Sequence, residues 1–184
     1  MKRLFFVFSA LLLSTGVFAQ SFEWGIKAGF NLATQTDVDD VSINPGLYAG
    51  IQGEYKVSPF FGIQGEFLYS MMGTKMTNLG VTATRDVNYI TMPVMAKIYL
   101  ARTLSLDLGP QFGYMVSAKL KTAGSSSDIY DGMEKFDLSA GMGLSFRLVH
   151  GLGMSARYNL GITEIEKGGK SKNNVIQLGL SYNF

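Results

Sequence analysis

From residue 22 onward the chain alternates between apolar and polar positions. In "FEWGIKAGFNLA" (22–33), Phe22, Trp24, Ile26, Ala28, Phe30 and Leu32 are separated by Glu23, Gly25, Lys27, Gly29 and Asn31. A period of two predicts a strand with one greasy and one polar face. The same pattern recurs seven times, in "GLYAGIQGEYKV", "FGIQGEFLYSM", "YITMPVMAKIYL", "LSLDLGPQFGYMVSAKL", "KFDLSAGMGLSFRL", "LGMSARYNLGI" and "NVIQLGLSYNF". The expectation is eight strands of about 9 to 16 residues, longer than strands of soluble sheets usually are.

Alternation alone does not say which face looks inward, and a soluble eight-strand barrel could show it turned inside out. The outer surface of such a barrel, however, would be richer in Lys and Glu and poorer in Gly, Ser and Gln than this polar face is. Glu23, Lys27, Glu54, Lys56, Glu66, Lys97, Asp107, Lys119, Lys135, Asp137, Arg147 and Arg157 all fall on the non-apolar face, and none interrupts an apolar one. The apolar run in the fifth strand is read as continuous from Leu104 to Ala118, so Ala118 shares a face with Tyr114 and Val116. A face kept free of charge suits lipid, where a basic residue costs roughly 2–4 kcal/mol near the midplane. The greasy face is therefore expected outside and the polar face inside.

Connections alternate in length. Ser58-Pro59, Ala101 to Thr103 and Val149 to Gly151 read as tight turns, and 34–44, 73–86, 121–134 and 164–173 as longer polar loops. This predicts an all-β, eight-stranded antiparallel up-and-down transmembrane β-barrel with short periplasmic turns and longer external loops. The outward aromatics fall into two groups, one near each end, as interfacial girdles do. The abundance of glycine (22) and scarcity of proline (4) suit twisted sheets.

Residues 1–19 are read as a secretory signal peptide, with Lys2 and Arg3 as the basic region, "LFFVFSALLL" as the apolar region and "VFAQ" at the cleavage site. The barrel domain is then 20–184, with 14 basic and 14 acidic residues. That balance argues against a nucleic-acid partner. The expected location is the outer membrane of a Gram-negative-type bacterium, with membrane lipid as the surrounding partner.

Four stretches carry a family resemblance: "FGIQGEFLYSMMG", "VNYITMPVMAKIYL" with its aromatic-x-x-x-Pro core, "LDLGPQFGYMVSAKLK" with its Gly-Pro, and "MSARYNLGITEI" followed by "LGLSYNF". Together they resemble the PorT-like outer-membrane β-barrel domain family, over essentially the whole chain after the signal. Thr91 departs from the pattern, since members often carry an acidic residue there. The resemblance implies eight strands, outer-membrane location and no catalytic residues. Tyr182 and Phe184 resemble the terminal aromatic signal read by the barrel-assembly machinery.

Little else points to chemistry. His150, the single histidine, sits in a tight turn with no serine or acid beside it, so no enzyme is expected. Asp37, Asp39 and Asp40 lack the glycine and distal glutamate of a calcium loop, and both they and Asp128, Asp131 and Glu134 read as solvated charged loops. No metal and no cofactor are expected. Lys167, Lys170 and Lys172 form a basic loop whose alternative reading is contact with lipid phosphates. An eight-stranded lumen is only wide enough for side chains. Glu23, Lys27, Glu54, Glu66, Lys97, Arg147 and Arg157 are therefore expected to form a hydrogen-bonded network there, with Gly25, Gly29, Gly109, Gly141 and Gly143 making room. The function read from this is a barrel with a polar, plugged lumen, in a structural, surface-interaction or envelope-accessory role without catalysis. The four loops are candidate sites for an extracellular partner. The alternatives are a narrow pore or small-ligand transport barrel, and a secreted soluble barrel carrying a lipophile.

Overall fold

A computed structural model describes residues 22–35, 41–78, 81–122, 125–128, 135–164 and 172–184. The signal segment and the residues Asp37, Asp39, Asp40, Asp131, Glu134, Lys167 and Lys170 lie outside them. Eight long strands run β1 (Phe22–Gln35), β2 (Val41–Ser58), β3 (Phe61–Asn78), β4 (Val81–Tyr99), β5 (Leu104–Thr122), β7 (Phe136–Arg147), β8 (Leu152–Glu164) and β9 (Lys172–Asn183), with a four-residue β6 (Ser125–Asp128) after β5. Each long strand pairs antiparallel with its chain neighbours, and β1 pairs with β9 to close the ring. The short β6 extends the edge of β5. Strands of 12 to 19 residues are long enough to cross a bilayer while tilted.

The alternation sets the faces as expected. Trp24, Phe30, Phe67, Tyr114, Phe146 and Tyr158 are among the large apolar side chains exposed on the outside. Buried among the inward positions are Lys27, Glu54, Glu66, Lys97, Asp107 and Arg157. Short turns at 59–60, 100–103 and 148–151 mark one end. His150 and Gly151 complete the last of these with left-handed φ angles of 55° and 79°.

Two expectations need correction. The segment 73–86 is not a loop: β3 and β4 stay paired from Gly73–Asp86 to Asn78–Val81. Its four threonines and Val81 are strand formers, and polarity masked that propensity. Parts of the other three segments are paired as well: Val41–Asn44 with β3, Lys121–Thr122 with β6, and Glu164 with Lys172.

The second correction concerns Ala118 and Lys119. The β4–β5 register slips between Asn88–Ser117 and Tyr89–Met115, leaving Val116 as an extra residue on β5. A bulge of one residue exchanges the two faces beyond it. Ala118 is consequently buried inside and Lys119 is exposed.

Candidate functional site

Among the described residues, the lumen is where charged side chains gather away from water. From the short-turn end inward, three linked layers can be traced. At the mouth, Glu23 on β1 accepts from Lys56 at 2.5 Å and pairs with Arg147 at 2.8 Å. These side chains remain about a third exposed.

Below them Glu54 is buried. It pairs with Arg147 and Lys97, each at 3.4 Å, and accepts a hydrogen bond from the Tyr99 hydroxyl. Lys97 also lies 3.8 Å from Asp107 and donates to Gln64 at 2.8 Å. The Asp107 carboxylate accepts from Ser105 at 2.8 Å and Ser145 at 2.5 Å.

Deeper still, Glu66 is fully enclosed. Arg157 donates to both of its oxygens, at 2.7 and 3.0 Å, and Lys27 donates to one at 2.9 Å. Gln64 donates to it at 2.5 Å. An unpartnered charge at this depth would carry a desolvation cost of several kcal/mol. Shared carboxylates and amide donors remove that cost here.

The seven charged residues expected in the lumen are thus brought into linked ion pairs. Sequence reading missed several participants, among them Lys56, which is on the polar face but outside the expected network. Asp107 was placed on the inward face but left out of the network, and its inward position beside Ser105 was the available signal. Gln64 and Tyr99 were missed because uncharged side chains give no ion-pair cue.

Past Glu66 the chemistry changes from ionic to amide. Asn159 donates to Gln177 at 2.9 Å, Gln177 to Asn31 at 2.9 Å, and Asn31 to the Met71 carbonyl at 3.1 Å. A carbonyl only accepts, so this anchor fixes the orientation of every amide in the row. Ser70 and Thr91 share a hydrogen bond at 3.2 Å, so Thr91 sits in a neutral pair where the resembled family often has an acid.

Next comes an apolar layer that the alternation did not foretell. Ala33, Met72, Val87, Tyr89, Met115, Ala118 and Val175 pack as one buried cluster on the inward face. Their signal in the sequence was neighbouring apolar pairs such as Met71-Met72 and Tyr114-Met115, where only one of the two can face lipid.

The free volume agrees with a filled interior. The cavity lined by Lys27, Glu54, Gln64 and Lys97 measures about 30 Å³, room for about two water molecules. Among the described residues no group of three or more His, Asp or Glu side chains is placed to hold a metal.

Tyr182 and Phe184 lie on the outer face at the short-turn end. Their rings are 5.3 Å apart, edge to face, and Phe184 stacks at 4.5 Å on Trp24. His150 is exposed in its turn.

Residues 18–167 match the family model described as outer membrane protein beta-barrel domain. No curated protein sequence matches the chain. Among solved structures it is similar to Ail, the attachment invasion locus protein of Yersinia pestis, at 20% identity and a TM-score of 0.56, covering 89% of this chain and 99% of Ail. It is also similar to Neisserial surface protein A, at 14% identity and a TM-score of 0.58, covering 89% of this chain and 97% of that one. At such identities the likeness shows a shared small-barrel fold.

Proposed function

Because the chain belongs to the outer membrane protein β-barrel domain family, and so resides in the outer membrane, we propose that it is a non-conducting, non-catalytic barrel that holds a surface rim in place for interaction outside the cell. The observation that carries this is the filled lumen. Three layers of ion pairs, an amide row and an apolar cluster follow one another along its length. An ion crossing it would have to break paired charges and then enter a dry layer. At the end opposite the short turns, the β3–β4 hairpin continues to Asn78–Val81, giving that rim an ordered backbone on which to carry side chains.

Within the family we assign the chain to the PorT-like group, on the order and spacing of the four motifs. Residues 1–19 act as its export signal, and Tyr182 and Phe184 serve recognition by the barrel-assembly machinery. Planar-bilayer recording tests the proposal. The refolded protein is expected to give no stable openings, and steady porin-like conductance would overturn the closed-lumen reading in favour of a pore. Differing gel mobility of boiled and unboiled samples certifies that the recorded protein is folded.

A further inference from the structure

The short-turn end carries a second pocket, beside the outermost ion-pair layer. It measures about 470 Å³ and lies between the β2–β3 and β4–β5 turns. That is within the range of small-ligand sites, about 300–1,000 Å³. Three cations line it, Lys56, Arg102 and Arg147, and no acidic side chain does.

The neighbouring carboxylates do not balance them. Glu23 is divided between Lys56 and Arg147. Glu54 is divided between Arg147 and Lys97. Arg102 is exposed and, among the described residues, pairs with no carboxylate. An arginine in this state keeps its full fork of donors for a planar or tetrahedral anion.

The apolar part of the pocket indicates what kind of anion. Phe60 is 74% exposed and Leu100 60% exposed, both in the turns that flank the cations. A freely soluble anion gains nothing from them. A phosphate attached to acyl chains gains from both parts, with its charge at the arginine and its glycerol and upper chain methylenes against the rings and methyls.

We propose that this pocket binds the phosphate of an anionic phospholipid in the leaflet at the short-turn rim, with Arg102 as the principal contact and Lys56 and Arg147 completing the cationic wall. Naming that leaflet the periplasmic one rests on the orientation proposed above; the binding does not. Occupancy would hold two turns against one lipid and fix the depth of the barrel at that interface.

The test uses the full mature chain refolded in neutral detergent. It is titrated with short-chain phosphatidylglycerol or phosphatidylcholine, and bound lipid is counted by native mass spectrometry. The expected result is preferential retention of phosphatidylglycerol, weakened about tenfold in Arg102→Ala, the scale of losing one charge-assisted contact. Phosphatidylcholine retention should not change. Equal retention of the two lipids by the unaltered protein, or an unchanged preference in Arg102→Ala, overturns the proposal. Arg102 is exposed, and heat-shifted mobility checks that each variant is folded. Phe60→Ser with Leu100→Ser separates lipid from free phosphate: it should lower phosphatidylglycerol retention. If inorganic phosphate displaces phosphatidylglycerol at equal concentration, the pocket is a phosphate site and the lipid assignment fails. Because the assay is done in detergent, its failure leaves the closed-lumen reading intact, and a conducting lumen leaves this one intact.

Discussion

Arg157 and Glu66 face each other from opposite walls of the barrel. Four strand-to-strand steps separate β8 from β3 around the ring in either direction, yet the guanidinium reaches both carboxylate oxygens, at 2.7 and 3.0 Å. The pair braces the diameter of the lumen. Lys27, from β1, adds a third point of attachment at 2.9 Å.

Removing one end of that brace should be costly. Arg157→Ala is expected to destabilise the barrel by about 3–5 kcal/mol, because Glu66 would keep only Lys27 as a charged partner. Replacing the whole cluster together, Arg157→Leu, Glu66→Leu and Lys27→Leu, should cost clearly less, since Lys27 is paired to Glu66 and no buried charge is then stranded. Urea unfolding in phospholipid vesicles, followed through Trp24, the single tryptophan, measures both. A triple variant as unstable as the single one would show that the cluster does not act as a unit.

Neighbouring residues on β8 test the two faces. Ala156 is exposed outside and Arg157 buried inside. Since the chain contains no cysteine, Ala156→Cys should react with a lipid-soluble maleimide and resist a charged one. Arg157→Cys should not show that pattern. Ala156→Arg should cost roughly 2–4 kcal/mol near the midplane. The reverse labelling pattern would mean the barrel is inside out.

The bulge at Val116 makes a sharper demand, because unbroken alternation predicts the opposite. Ala118→Cys should be shielded from lipid-soluble reagents, whereas Val116→Cys should react. Labelling at both positions would restore the regular register and dissolve the inward position of Ala118 in the apolar layer.

Gly179 provides a packing test. A Cβ built there would collide with the ring and hydroxyl of Tyr48. Gly179→Ala should therefore lower stability by about 1–3 kcal/mol, as overpacking does. Combining it with Tyr48→Leu should recover part of the loss. Additive losses in the double variant would mean that Tyr48 is not the obstacle.

Much of this architecture was legible in the alternation. Strand number, the lipid face and the seven lumen charges depend only on where apolar and charged residues recur, and a closed antiparallel ring leaves them one arrangement. What escaped was whatever breaks the period or lacks charge. The extra residue at Val116 sits in an apolar stretch, so nothing in "YMVSAKL" marks the slip; it appears only once β4 supplies the partner register. Segment 73–86 reads as a loop by its polarity, although its four threonines and Val81 favour a strand. The inward cluster of Met72, Val87, Tyr89 and Met115 was hidden because apolar residues were all assigned to lipid. The amide row from Asn159 to Met71 joins β8, β9, β1 and β3, and such a path exists only once the ring is closed.

Tyr48 also changes what it means for β1 and β9 to be the ends of the sheet. The tyrosine comes from β2, covers Gly29 on β1 and Gly179 on β9, and hydrogen-bonds Ser155 on β8. It therefore lies over the junction between the first and last strands. In an open sheet, terminal strands fray first and exchange their amide hydrogens fastest. Here both are bonded on either side and bolted from within by a residue two strands from Ser155's neighbour. In hydrogen-exchange terms the beginning and end of the barrel's sequence behave as its middle, and the weakest points move to the rims, where the pairing simply stops.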